Sequence, residues 1–395
     1  MRIFVPAMGR VNTRNRDGSE VRFAEIAKEW LLKGEDVYVM LPEREVAVLE
    51  RQGVKAVFHI LSEPVKSEKD TLFNVLLVYA IRMIQSLFTR YPDSVHVVYA
   101  PSDFLVDLIP AVLCKIKNSH AKLLVCFFLV APNPFTGYEN VYTKRRRIPS
   151  ARGIIYYITQ KASILIIRLF HGKILALNSF DKKSLVDMGM NEEDVFVVSM
   201  GVNFSDYSKI IRSPDTKPYD AVFVGRLHPQ KGLFDLVKIW KIVCAERPES
   251  RLAIIGGGSD SWFNRLRKEI ENTGLRDNID ILGFKDGEEK IRLLKSARCF
   301  VMPSHYESWG MTAVEAMASG LPVVAYSLPI FREIFHKGMT MVDIGDMVGF
   351  ADAILNIIDR SGFRMRLAQE AIDFAKRFDW SFIAERELQI ITYEK

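Results

Sequence analysis

Short apolar runs alternate with longer segments of helical period along the whole chain. Runs such as Leu252–Ile255 are apolar without interruption, the pattern of strands buried on both faces of a parallel sheet. In the first half this pattern predicts strands at Arg2–Pro6, Asp36–Leu41, Val54–Phe58, Val95–Tyr99, Lys122–Phe128, Lys173–Ala176 and Val195–Val198. Helices including Glu20–Leu32 and Leu105–Lys115 fall between them. Periodicity then lapses over Gly201–Pro218, where Asn203, Ser205, Asp206, Ser213, Pro214, Asp215 and Pro218 are turn and loop residues. A second series follows, with strands at Ala221–Val224, Leu252–Ile255, Ile279–Leu282, Cys299–Met302, Val323–Ala325 and Met339–Val342. Its helices are Gly232–Ala245, Trp262–Asn272, Glu288–Lys295 and Thr312–Ala318. The expected class is α/β, with two Rossmann-like domains of parallel sheet facing each other across a cleft. The expected boundaries are 1–203, a linker at 204–218, 219–377, and a final helix at 378–395.

A chain of 395 residues is longer than one hydrophobic core usually organises, in keeping with two domains. With 49% hydrophobic and 26% charged residues it has the composition of a folded protein, which sets aside disordered and collagen-like classes. Cys114, Cys126, Cys244 and Cys299 are widely spaced and form no C-x-x-C pair, so they suggest buried small side chains in a reducing compartment rather than a zinc or disulfide framework. The first residues run directly into a strand without the pattern of a secretory signal, and a cytoplasmic location is expected. The most apolar stretches, Leu72–Phe88 and Ile154–Phe170, are interrupted by polar residues and read as buried or interfacial helices.

Four segments at strand-to-helix turns carry candidate chemistry. The richest runs from Pro303 to Gly320. Gly310 permits close backbone approach, and the N–H groups of Met311 and Thr312 open a helix where a phosphate can sit. Glu307 lies on the loop before that helix and Glu315 one turn into it. Taken singly, each glutamate reads as a solvated surface residue, but Glu315 is set among Ala313, Val314, Ala316 and Met317, where a carboxylate needs a reason. The second segment, Val224–Gly232, offers Arg226 as a fork of donors and Lys231 as a mobile charge, either a diphosphate clamp or two surface cations. The third, Gly256-Gly257-Gly258, lacks the third glycine of a dinucleotide fingerprint, since Ser261 stands there; it is either a floor beneath a nucleotide or a tight turn. In the fourth, Asp17-Gly18-Ser19-Glu20, the polar residues either cap a helix or bring backbone close to a ligand.

These motifs occur in an order that resembles the large family of retaining glycosyltransferases that includes bacterial glycogen synthase and sucrose synthase. The resemblance rests on Gly225-Arg226-Leu227, Lys231-Gly232, Gly256-Gly257-Gly258, Leu282-Gly283-Phe284, Glu307 with Glu315 in an E-x7-E pattern, and Gly320-Leu321-Pro322. It is clear over residues 220–345 and weaker before them. It implies a GT-B architecture with a C-terminal crossover helix at 378–395, and a UDP-sugar or GDP-sugar donor with no metal or other cofactor. It also implies roles: Arg226 and Lys231 hold the diphosphate, Glu307 the donor sugar and Glu315 the ribose. Gly18, Ser19, Gly225, Gly257, Phe284, Gly310, Met311 and Thr312 would line the donor site. The sequence departs from the family pattern at Leu124–Pro132, which lacks the histidine such proteins often carry after a mid-domain strand.

Charge bears on the acceptor. Between Val141 and Lys183 lie Lys144, Arg145, Arg146, Arg147, Arg152, Lys161, Arg168, Lys173, Lys182 and Lys183, against the single acid Asp181, an excess larger than the whole chain's +6. Interleaved with apolar residues, this segment reads either as a solvated loop and core helix or as a contact with an anionic membrane or a lipid-linked acceptor. No stacking motif accompanies the charge, and nucleic acid is not expected as a partner. A retaining glycosyltransferase acting on a glycan or lipid-linked acceptor is the leading expectation. A sugar-nucleotide epimerase and a non-catalytic nucleotide-sugar-binding subunit are the alternatives.

Overall fold

The computed structural model describes residues 1–9, 18–62, 71–135, 149–210 and 219–392. The chain divides into two compact units, Met1–Met200 with Trp380–Lys395, and Gly201–Asp379.

The first unit is built on seven strands: β1 (Arg2–Pro6), β2 (Asp36–Pro42), β3 (Val57–Leu61), β4 (Val97–Ala100), β5 (Lys122–Phe127), β6 (Lys173–Ala176) and β7 (Val195–Val197). All pair in parallel, in the order β3-β2-β1-β4-β5-β6-β7. The helices between them are α1 (Gly18–Leu32), α2 (Glu43–Arg51), α3 (Leu72–Leu87), α4 (Leu105–Lys117), α5 (Ala151–Leu169) and α6 (Ser179–Asp187). The order reverses between β1 and β4, the switch point beside which open α/β sheets bind ligands.

The second unit starts at α7 (Phe204–Lys209) and carries strands β8 (Tyr219–Val224), β9 (Leu252–Ile255), β10 (Ile279–Gly283), β11 (Ala297–Met302), β12 (Val323–Tyr326) and β13 (Met339–Val342). These are parallel in the order β10-β9-β8-β11-β12-β13. Its other helices are α8 (Leu233–Glu246), α9 (Asp260–Thr273), α10 (Gly287–Lys295), α11 (Met311–Ala318), α12 (Pro329–Ile334), α13 (Met347–Asp359) and α14 (Ser361–Ala375). Two doubly wound parallel sheets are what the unbroken apolar runs imply, since helices on both faces cover the central strands, while the edge strand β3 keeps Val57 and Ile60 exposed.

The last helix, α15 (Trp380–Thr392), belongs to the first unit and packs on α1. At that contact the fully buried Arg22 pairs with the fully buried Glu387, and Arg22 Nη1 also donates to Tyr99 Oη at 2.7 Å. Two charges in an apolar interior are tolerated only when each meets the other and further hydrogen bonds as well. The ion pair therefore fixes where α15 can dock.

Two local expectations need correction. The strand expected at Val54–Phe58 is displaced to Val57–Leu61: Gly53 takes a left-handed φ of +86°, and Val54 N–H turns back to Leu49 O. The stretch expected as a linker opens with α7, whose Tyr207 is buried; residues 211–218 lie outside the described residues. Leu72–Phe88, expected as a buried or interfacial helix, forms α3 with much of its apolar surface facing outward. All four cysteines are free thiols, with Cys114, Cys126 and Cys299 buried and Cys244 partly so.

Candidate active site

Four loops leave the carboxyl ends of β10, β9, β8 and β11, adjacent strands in the second sheet, and the backbone stitches them together. Gly256 N–H donates to Gly283 O, Gly225 N–H to Ile255 O, Leu227 N–H to Gly257 O, and His305 N–H to Gln230 O, all between 2.8 and 3.0 Å. Two glycines make this closeness possible. A Cβ on Gly256 would lie 1.8 Å from Gly225 O, and one on Gly232 would lie 1.7 Å from Pro303 O, where Gly232 also has a φ of +70°. No side chain fits at either place. Gly257 and the exposed Phe284 are neighbours on the rim, since a Cβ on Gly257 would touch Phe284 Cβ at 3.8 Å.

Lys231 and Glu307, 76 residues apart in sequence, meet here. Lys231 Nζ donates to Glu307 Oε1 at 2.6 Å, and Ser304 Oγ donates to the same oxygen at 2.8 Å. The lysine and glutamate side chains are only 16% and 9% exposed, so the pair is largely shielded from water. Arg226, on the same loop as Lys231, is exposed. Between them, His228 is held below the ordinary imidazole range by partial burial and by the Arg226 and Lys231 charges, and its Nδ1 accepts from Gln230 N–H.

Helix α11 begins just beyond Glu307. Its N-cap is Gly310, with φ +101° and no side chain to cap the first turn, so the N–H groups that start the helix, including those of Met311 and Thr312, are left to an outside acceptor. Glu315 lies one turn on. Lys290 of α10 reaches it at 2.9 Å, and Tyr207 of α7 hydrogen-bonds it as well. Burial alone would lower the Lys290 pKa, but Glu315 and Asp286 outweigh it and raise it. The Tyr207 hydroxyl is pushed well up by burial and by the Glu315 charge.

The sequence motifs therefore fall into two clusters of one unit: Arg226, Lys231 and Glu307 at the β8 and β11 loops, and Glu315 inside α11. Lys290, Tyr207 and Ser304 were not anticipated as partners. Only Ser304 lies in a motif; Lys290 and Tyr207 come from distant segments. A further unanticipated contact links His305 Nε2 to Asp235 at 3.1 Å, and Tyr326 Oη donates to the same carboxylate at 3.2 Å. Burial would raise the Asp235 pKa, but these bonds hold it below its usual value.

In the first unit, Gly18 opens α1 and Ser19 lines a cavity at the carboxyl ends of β1, β2 and β4, together with Gly9, Glu20, Glu45 and Asp107. Asp107 is buried, and desolvation pushes its carboxyl up to about 7 against hydrogen bonds from Ser102 and the Met8 and Gly9 N–H groups. Asp17 and Lys144, Arg145, Arg146 and Arg147 lie outside the described residues.

Comparison with known proteins finds relatives for this chain. Residues 206–374 match the family model described as Glycosyl transferases group 1. Glycogen synthase of Mycobacterium tuberculosis (strain CDC 1551 / Oshkosh) is 29% identical over 202 residues, covering 50% of this chain and 48% of its own. Phosphatidyl-myo-inositol mannosyltransferase of Mycobacterium leprae is 28% identical over 235 residues, covering 57% and 61%. The chain thus spans about half the length of the curated relatives it matches. Among solved structures, the Anabaena HepE protein in complex with UDP and glucose has a TM-score of 0.73 at 16% identity over 99% of both chains. That likeness extends the shared GT-B fold to both units.

Proposed function

We propose, from the match of residues 206–374 to the family model described as Glycosyl transferases group 1, that this chain moves a sugar from a nucleoside diphosphate to an acceptor, with retention at the anomeric carbon. The observation that carries the reading is the meeting of Lys231 and Glu307 beside the uncapped start of α11. Cleavage of a glycosyl–phosphate bond builds negative charge on the departing diphosphate and positive charge on the sugar. Lys231, Arg226 and the α11 N–H groups are cationic or dipolar donors for the first charge, and Glu307 is an anion for the second. Arg226 is free to swing over a diphosphate because it is exposed, while the shielded Lys231 is already aimed. Glu315, oriented by Lys290 and Tyr207, accepts the ribose hydroxyls.

The donor is a UDP-sugar or GDP-sugar, used without a metal, since the sequence has no D-x-D pair and supplies Arg226 and Lys231 instead. UDP and glucose in the Anabaena protein favour the first. The acceptor is a glycan or a lipid-linked precursor held by the first unit, a reading supported by the lipid named for the mannosyltransferase relative. The chain works in the cytoplasm at the surface of an anionic membrane. Release of nucleotide from a panel of UDP- and GDP-sugars, with and without an acceptor extract, tests the proposal. Release stimulated by the extract supports transfer. Donor consumption without an acceptor and with solvent proton exchange, or binding without turnover, contradicts it.

A further inference from the structure

Helix α3 is apolar on its outer side as well as on its inner one, where Val78 is buried and Tyr79 and Met83 pack against the core. Its buried positions are Val78, Arg82 and Ser86. Arg82 donates to Met8 O and ties the inner side to the rest of the unit, while Ser86 Oγ turns back to Met83 O of the same helix. Its outer side carries Phe73, Leu76, Leu77, Ile84 and Leu87, followed by Phe88 at the C-cap, and the two phenylalanines are 72% and 85% exposed. Their spacing places them on one stripe of the helix.

Helix α5 repeats the arrangement. Gln160, Ser163, Ile164 and Ile167 are buried; Gln160 Oε1 accepts from Ala131 N–H at 2.7 Å, and Ser163 Oγ donates to Asp103 O at 2.7 Å. Outward along one stripe run Ile158, Lys161, Leu165, Arg168 and Leu169. Both helices pack on α4, whose Ile116 is also exposed, so the three form one layer over the sheet of the first unit. A surface helix of a water-soluble protein normally turns its apolar side inward, and a contiguous exposed apolar face marks an interaction site.

We propose that this α3–α4–α5 face rests on an anionic lipid bilayer, with the α3 stripe in the acyl boundary and Lys161 and Arg168 at the headgroups. Charge selects this occupant. Neither α3 nor α5 contains an acidic residue, while α5 interleaves cations with its apolar stripe. A second copy presenting the same face would set cation against cation, whereas anionic headgroups complement it. Among the described residues no helix is long and apolar enough to cross a membrane, so the face lies on the surface instead of spanning it. The inference deepens the membrane part of the proposed function and rests on it; it does not depend on the donor chemistry of the second unit.

The test uses the full chain with vesicles of phosphatidylcholine, with and without phosphatidylglycerol. Replacing the exposed set by Phe73→Gln, Leu77→Gln, Ile84→Gln, Leu87→Gln and Phe88→Gln together is expected to reduce sedimentation with anionic vesicles at least about tenfold. Nucleotide-sugar turnover on a soluble acceptor should be unchanged. Lys161→Gln with Arg168→Gln should abolish the preference for phosphatidylglycerol. In a separate variant, Phe88→Trp, added anionic vesicles should shift tryptophan emission to the blue and brominated acyl chains should quench it. Unchanged sedimentation of the five-fold variant overturns the proposal, and so does a Phe88→Trp emission that vesicles leave unmoved should the five-fold variant not fold. A lipid-insensitive wild-type dimer that the same substitutions dissociate would assign the face to a second copy. Vesicle binding without sugar transfer would remove the transferase reading and leave this one standing; transfer without vesicle binding would do the reverse.

Discussion

Lys231 Nζ and Glu307 Oε1 lie 2.6 Å apart, with Ser304 Oγ on the same carboxylate oxygen. Each side chain holds the other in place: the glutamate neutralises and aims the ammonium, and the serine keeps the glutamate from following the lysine if it turns toward a phosphate.

In the proposed reaction, removing the lysine would leave a shielded carboxylate beside an anionic leaving group. Lys231→Ala is expected to slow turnover by about two or more powers of ten. Steady-state kinetics on a responsive donor check this, with circular dichroism as the control for folding. A near-native rate in that variant would remove Lys231 from the diphosphate clamp.

In the proposed donor site, Lys290 acts through Glu315, which it holds at 2.9 Å. Lys290→Met leaves that carboxylate with Tyr207 alone, and stability should fall by about 1.5–3 kcal/mol, the usual worth of a hydrogen bond to a charged group. The donor KM should rise with a smaller effect on kcat, because ribose binding lies away from the broken bond. Tyr207→Phe, which removes one neutral donor, should cost about 1 kcal/mol. Urea unfolding and donor kinetics separate the two effects; a Lys290→Met variant with native KM and stability would show that the bridge is idle.

The Arg22–Glu387 pair predicts a non-additive result. Either Arg22→Met or Glu387→Leu alone should destabilise the protein by about 3–5 kcal/mol, because one buried charge is left uncompensated. The double substitution should recover most of that loss. Additive losses in denaturant titrations would mean that packing, and not the ion pair, secures α15 against α1.

Asp107 sets a pH dependence. Its carboxyl is raised from 3.8 to about 7 by burial, so the folded protein holds this proton more tightly than the unfolded chain. The stabilisation is complete below the unfolded value and is lost as pH rises towards about 7. Asp107→Asn has no proton to lose, and the difference in stability between it and the native protein should change over that window and level off above it. A pH-independent difference would show that Asp107 is ionised throughout.

Much of the fold was legible because a strand covered on both faces has to be apolar throughout, and Leu252–Ile255 or Val323–Ala325 can be little else. The E-x7-E glutamates and the Arg226–Lys231 loop were legible because turns after parallel strands bring such residues to one edge of a sheet. Lys290, Asp235 and Tyr207 were not, since each reaches its partner through packing between elements distant in sequence and no local period records that. For Leu72–Phe88 the pattern left the buried and the interfacial readings both open. The polar residues of α3 are few, and only the acceptors they find, such as Met8 O for Arg82, decide which side faces in. The displaced β3 reflects a left-handed turn at Gly53 that hydrophobicity cannot register.

The most direct measurement is the melting temperature of the full-length chain with UDP and with GDP, taken for the native protein and for Lys231→Ala. One of the two nucleotides should raise the native melting temperature by several degrees, since a ligand held only by the folded state adds about 2.7 kcal/mol at a hundred times its Kd; the variant should lose most of that rise. No stabilisation by either nucleotide, or equal stabilisation of both proteins, would contradict a diphosphate site at Lys231 and Glu307.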